Sequence, residues 1–161
     1  MQVVMDETGK PIQEAMSMEI YSAIDSLAFY TKRAPKWLKD ESRSMHGPMQ
    51  FLKKTKVAFK PRGVIGVITP WNGPFILSIN PAIQAVLAGN SVIIKPSEVT
   101  PKSGMLVEEM FKKADAPDNL VQVLIGDGQV GADPINLKPD KVSFTGSIKT
   151  GKLIARQCGE S

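Results

Sequence analysis

The chain has 161 residues, 42% hydrophobic and 22% charged, which is enough apolar side chain for one domain with a core and too much for a disordered chain. Its formal net charge of +4, from 20 Lys and Arg against 16 Asp and Glu, is spread along the sequence and argues against a nucleic-acid partner. No apolar run approaches the roughly 20 residues that span a bilayer, residues 1–7 lack the pattern of a secretion signal, and the single cysteine, Cys158, allows neither an internal disulfide nor a thiolate metal site. A soluble cytoplasmic protein with no membrane partner and no metal is expected.

Between residues 11 and 33, Ile12, Met16, Ile20, Ala23, Ile24, Leu27 and Tyr30 recur at spacings of three and four, predicting a long amphipathic helix that Pro35 interrupts. Residues 40–48 are polar, contain Gly47-Pro48 and read as a loop. Residues 54–60 alternate around Val57 and Phe59 as a half-exposed strand. Residues 63–69 form a Val- and Ile-rich run closed by Pro70, which suits a strand buried on both faces, as in a parallel sheet. The apolar stretch 74–87 reads as a buried crossover helix stopped by Gly89-Asn90.

Residues 91–94 give a second β-branched strand, and Thr100-Pro101 opens the next helix as N-cap and first helical residue. That helix, over residues 103–114, carries Met105, Leu106, Met110 and Phe111 on one side. Residues 117–119 are a turn, 120–125 a third buried strand, 126–131 a glycine-rich turn into a short helix, 141–144 a fourth strand and 149–157 the last helix. Strand, helix, strand, helix predicts an α/β fold, a parallel Rossmann-like sheet with flanking helices preceded by the long amphipathic helix. The expected division is a helical segment over residues 1–53 packed on an incomplete dinucleotide-binding domain over residues 54–161.

Two strand ends run into small residues. Gly126-Asp127-Gly128-Gln129-Val130-Gly131 has the G-x-G-x-x-G spacing of a dinucleotide fingerprint, yet it follows the third strand rather than the first, and a tight turn explains its glycines equally well. Phe144-Thr145-Gly146-Ser147-Ile148-Lys149-Thr150-Gly151 offers either backbone N–H groups and a Ser147 hydroxyl for a phosphate or a simple N-cap by Ser147.

The run Pro61-Arg62-Gly63-Val64-Ile65-Gly66-Val67-Ile68-Thr69-Pro70-Trp71-Asn72-Gly73-Pro74-Phe75, then Lys95-Pro96-Ser97-Glu98, then Phe144-Thr145-Gly146-Ser147, resembles the coenzyme-binding core of the NAD(P)-dependent aldehyde dehydrogenases. The likeness covers residues 8–161 and implies part of that family's fold. It implies that Ile68, Thr69, Pro70 and Trp71 line the nicotinamide side of a cofactor cleft and that Lys95, Ser97 and Glu98 serve the adenosine ribose. It also implies that Gly128, Gly131, Phe144, Thr145, Gly146, Ser147 and Thr150 shape the adenine and pyrophosphate groove. Asn72 is the implied catalytic residue, its amide stabilising the oxyanion formed on aldehyde attack, and it borders the cofactor as well. Gly73 is expected to leave extra room for an aromatic or branched aldehyde.

The resemblance implies oxidation of an aldehyde to a carboxylate with hydride transfer to NAD or NADP, with Glu98 leaning toward NAD. The family's nucleophilic cysteine and general-base glutamate are not recognisable in these residues, because Cys158 lacks the surrounding motif and His46 lies in a polar loop. The isolated chain is therefore expected to be inactive. The alternative is a non-catalytic nucleotide-binding or association module, whose open sheet edge and exposed apolar helix faces favour self-association or a homo-oligomer.

Overall fold

The computed structural model describes residues 1–126 and 133–160. Its core is a four-stranded sheet of order β5-β4-β3-β6, parallel throughout, built from β3 (Val64–Ile68), β4 (Ser91–Lys95), β5 (Val121–Val123) and β6 (Lys141–Phe144). Helix α4 (Ile76–Leu87) links β3 to β4, α5 (Pro101–Lys113) links β4 to β5, the short α6 (Asp133–Asn136) precedes β6, and α7 (Ile148–Glu160) follows it. The β-branched runs at the centre have the burial expected of a sheet covered on both faces: Val67, Val92 and Ile94 are fully enclosed. Helix α4 buries Ser78, Ile79, Ala82, Ile83 and Ala85, and the chain leaves it through Gly89 at φ +83. Asn90 then clamps the exit, accepting from the N–H groups of Arg62 at 2.6 Å and Gly63 at 3.0 Å and donating to the Ala85 carbonyl at 3.0 Å.

The amphipathic N-terminal helix extends further than Pro35 suggested. It runs without a break as α2 (Ile12–Glu14), a π-helical stretch (Ala15–Tyr21) and α3 (Ser22–Trp37), with Pro35 inside it. Because Pro35 sits in the last turn, its missing N–H removes one hydrogen bond near a terminus instead of breaking the helix. The buried face also differs from the apolar stripe. Ala15, Glu19, Ala23 and Ala34 are buried, whereas Ile12, Ile24 and Leu27 remain substantially exposed. Small residues let the rod approach α4 closely, and the π-helical turn shifts the face by its extra residue.

Two elements go beyond the sequence-based expectation. Helix α1 (Gln2–Thr8) ends at Gly9 in the left-handed conformation, φ +71. Strand β1 (Glu41–Arg43), inside the segment expected to be loop, pairs antiparallel with β2 (Thr55–Val57), Glu41 opposite Val57 and Arg43 opposite Thr55. Every residue of this ribbon is exposed. Its register is accompanied by ion pairs of Asp40 with Lys56 and Glu41 with Arg43, so pairing and charge stand where a hydrophobic face would.

Three further expectations change in detail. Strand β5 is a three-residue edge strand with Gln122 exposed, not a buried one, and the Glu108 carboxylate accepts the N–H of Val123 at 3.1 Å. Helix α5 turns Ser103, Gly104 and Val107 inward, together with the partly buried Leu106 and Phe111, and leaves Met105 and Met110 about half exposed. Thr100 does precede α5, yet its hydroxyl makes no cap. The Glu7 carboxylate caps that helix from α1, taking the N–H groups of Lys102 at 2.8 Å and Ser103 at 2.7 Å. A carboxylate at a helix N-terminus is favoured by the helix dipole as well as by the open N–H groups.

Candidate functional site

Strand register sets the site. In the parallel ladder Ile68 lies beside Lys95 on one side and beside Phe144 on the other, so β3, β4 and β6 finish in one row. The chain runs from β3 outward through β4 and β5 and returns to place β6 on the opposite flank of β3. Strand order therefore reverses at β3, and a crevice beyond the carboxyl ends of the strands at such a reversal is where open α/β sheets bind ligands.

A cleft of about 680 Å³ occupies that place. One wall is Ile68, Thr69, Pro70 and Trp71 as the chain leaves β3. The second is Lys95, Pro96, Ser97 and Glu98 after β4, and the third is Phe144, Thr145, Gly146 and Ser147 after β6 with Thr150 on α7. Twelve residues singled out in the sequence thus meet in one cleft.

The walls are chemically distinct. Trp71 is 58% exposed, an apolar plane at the mouth. Lys95 is buried to 3% exposure and its Nζ donates to the Pro96 carbonyl at 2.8 Å, while the Glu98 carboxylate is exposed. At the start of α7 the Ser147 hydroxyl accepts the N–H of Thr150 at 3.1 Å and bonds the Thr150 hydroxyl at 2.8 Å, which is the N-cap reading of Ser147. The remaining N–H groups of that first turn have no intrahelical acceptor and point to the helix end, a setting that attracts anions. A Cβ added at Gly146 would come within 2.6 Å of the Phe144 ring, and one at Gly151 within 3.3 Å, so both glycines make the space in which that ring lies. A flat apolar plane, a carboxylate, hydroxyls and open N–H groups together fit an elongated ligand that carries flat rings, ribose hydroxyls and phosphates.

The remaining sequence-based candidates lie elsewhere. Asn72 is exposed and does not line the cleft; it borders an adjoining hollow with Trp71 and with Thr8, Gly9, Lys10, Pro11 and Glu14 of the N-terminal segment. Gly128 and Gly131 lie outside the described residues. Gly73 is buried, and a Cβ there would meet Leu77 at 3.1 Å and Ile76 at 3.4 Å, so those side chains take up the room expected beside it. Cys158 and His46 are exposed, and neither lines the cleft. Sequence reading missed Leu153, Ile154 and Gln157, which share the cleft face of α7 with Thr150. Their spacing of three, four and seven residues from Thr150 is the signal that finds them.

The chain matches the aldehyde dehydrogenase family over residues 1–161. It is 46% identical over 151 residues to a 4,4'-diapolycopene aldehyde oxidase of Methylomonas sp, covering 93% of this chain and 28% of the relative. It is 38% identical over 159 residues to a putative NADP(+) succinate-semialdehyde dehydrogenase of Mycolicibacterium smegmatis, covering 99% of this chain and 30% of the relative. Among solved structures, the NAD+ complex of an aldehyde dehydrogenase from Bacillus cereus superposes with a TM-score of 0.89 at 32% identity, over 99% of this chain and 32% of that one. The chain thus spans about a third of the length of the relatives it matches. Among the described residues no helix is long and apolar enough to cross a membrane.

Proposed function

The chain belongs to the aldehyde dehydrogenase family, and we propose that, within a complete enzyme, it supplies the NAD(P) cleft and one oxyanion donor for oxidation of an aldehyde to a carboxylate. The observation that carries this reading is the row formed by the ends of β3, β4 and β6, with the motif residues around a single cleft beyond it. In this reading Glu98 accepts hydrogen bonds from the adenosine ribose hydroxyls, and Lys95 stiffens the same turn from below. The open end of α7, with Ser147 and Thr150, receives the pyrophosphate, where the helix dipole favours negative charge. Thr69, Pro70 and Trp71 border the nicotinamide, and the Phe144 ring with Gly146 shapes the groove between. When bound there, the dinucleotide accepts a hydride from the substrate. Asn72, on the far side of the Trp71 turn, faces the aldehyde.

Two finer points belong to the same proposal. The exposed Glu98 carboxylate disfavours a 2′-phosphate by charge repulsion, so NAD is the preferred cofactor. The chain alone binds cofactor without turning over aldehyde, because Cys158 lines neither the cleft nor the hollow beside Asn72.

Glu98→Ala tests the assignment. Losing hydrogen bonds to a charged acceptor is worth about 1.5–3 kcal/mol, so NADH binding measured by calorimetry is expected to weaken roughly 10- to 100-fold, and NADPH binding to weaken less. Equal losses for both cofactors would remove Glu98 from the ribose; unchanged binding of both would remove the cleft from cofactor recognition.

A further inference from the structure

The turn between β3 and α4 carries both Trp71 and Asn72, and it is held from a distant part of the chain. Lys10 Nζ donates to the Asn72 main-chain carbonyl at 2.7 Å and pairs with the Glu19 carboxylate. The other oxygen of Glu19 accepts the N–H groups of Phe75 at 3.1 Å and Ile76 at 2.9 Å. One ion pair therefore grips the turn at its middle and at its exit. Glu19 is fully buried and the Lys10 side chain is 12% exposed, so neither is a solvated surface charge. Glu19 also lies in the π-helical stretch Ala15–Tyr21, and such stretches, costly to keep in a helix, recur where a side chain has to be aimed.

We propose that Lys10 and Glu19 are positioning residues that fix Trp71 and Asn72 at the end of β3, which makes the N-terminal segment a working part of the site and not only a covering of the sheet. The effect on the turn follows from the contacts alone; its consequence for turnover rests on the reading of Asn72 as oxyanion donor. A purely structural anchor would lower stability and leave the turn's own motion unchanged in the folded chain. A positioning pair governs that motion directly.

The sequence has two tryptophans, so Trp37→Phe leaves Trp71 as the sole reporter within the turn. In that background, Lys10→Met is expected to raise the amplitude of nanosecond local motion in the Trp71 anisotropy decay about twofold, a timescale proper to loops. Lys10→Arg, which keeps the charge and the donors, restores the slower decay. Glu7→Gln, which weakens the separate anchor between α1 and α5, leaves Trp71 unchanged. If Lys10→Met fails to fold by circular dichroism, Glu19→Gln carries the same comparison with a side chain of equal size. A folded Lys10→Met or Glu19→Gln chain with an unaltered Trp71 decay overturns the proposal, as does an equal change in Glu7→Gln. NADH binding measured on the same samples separates the two readings: its absence from every variant and the parent, with Trp71 loosened only by the Lys10 or Glu19 change, would reject the cofactor cleft and keep the positioning pair.

Discussion

Asn72→Ala, made in an enzyme that contains this segment together with the rest of the family's length, is expected to lower kcat about 100- to 1,000-fold, the loss of roughly 2.7–4 kcal/mol that follows removal of one oxyanion donor. The same change is expected to leave NADH affinity within about twofold, because an interaction made in the transition state alone contributes nothing to cofactor binding. The split follows from where the residue stands. Asn72 borders the hollow shared with Lys10 and Glu14, while the cleft residues surround the space on the other side of Trp71. Its side chain is exposed, so its removal leaves no cavity and little strain. Steady-state kinetics beside equilibrium NADH titration is the measurement. A fall in affinity with kcat preserved would make Asn72 a cofactor ligand.

Glu19→Ala carries the largest expected loss of stability, about 3–5 kcal/mol, the range seen when one partner of a buried ion pair is removed. Three groups lose an acceptor together: the N–H groups of Phe75 and Ile76, and the Lys10 ammonium, which keeps the Asn72 carbonyl. Each buried donor left unsatisfied costs about 1–3 kcal/mol, so the N–H groups alone account for most of the figure. Lys10, at 12% side-chain exposure, can turn toward water and recover part of its share. Urea denaturation followed by circular dichroism measures the change, and a loss below about 1 kcal/mol would mean that water replaces the carboxylate at the start of α4.

The central sheet was legible because its signals are local. The Val and Ile runs ending in Thr69-Pro70 and Lys95-Pro96 mark strands, and the small residues after Phe144 mark a strand running into a helix; the structure puts the ends of all three side by side. A partner close in sequence was partly readable: the N-cap was one of two readings open for Ser147, and its hydroxyl accepts the N–H of Thr150. What escaped depends on partners far along the chain. Nothing near Thr100 shows that Glu7 will cap α5 in its place, and nothing near Ile12 shows that the buried face of the rod will include a carboxylate, Glu19, in place of Ile24. Strand β1 escaped for a related reason: three exposed polar residues have no apolar alternation, and only pairing with β2 makes them a strand. The cleft was found from short motifs, whereas Leu153, Ile154 and Gln157 enter it by helical spacing that no motif contains.

The most direct test of the cofactor cleft is a titration of the Trp37→Phe chain with NADH, following energy transfer from Trp71 to the reduced nicotinamide. The account predicts a saturable signal that NAD+ displaces, since Trp71 lines the cleft and, in the proposed reading, borders the nicotinamide. A chain that is folded by circular dichroism yet gives no saturable transfer up to about millimolar NADH, a limit near −4.1 kcal/mol of binding free energy, would contradict it.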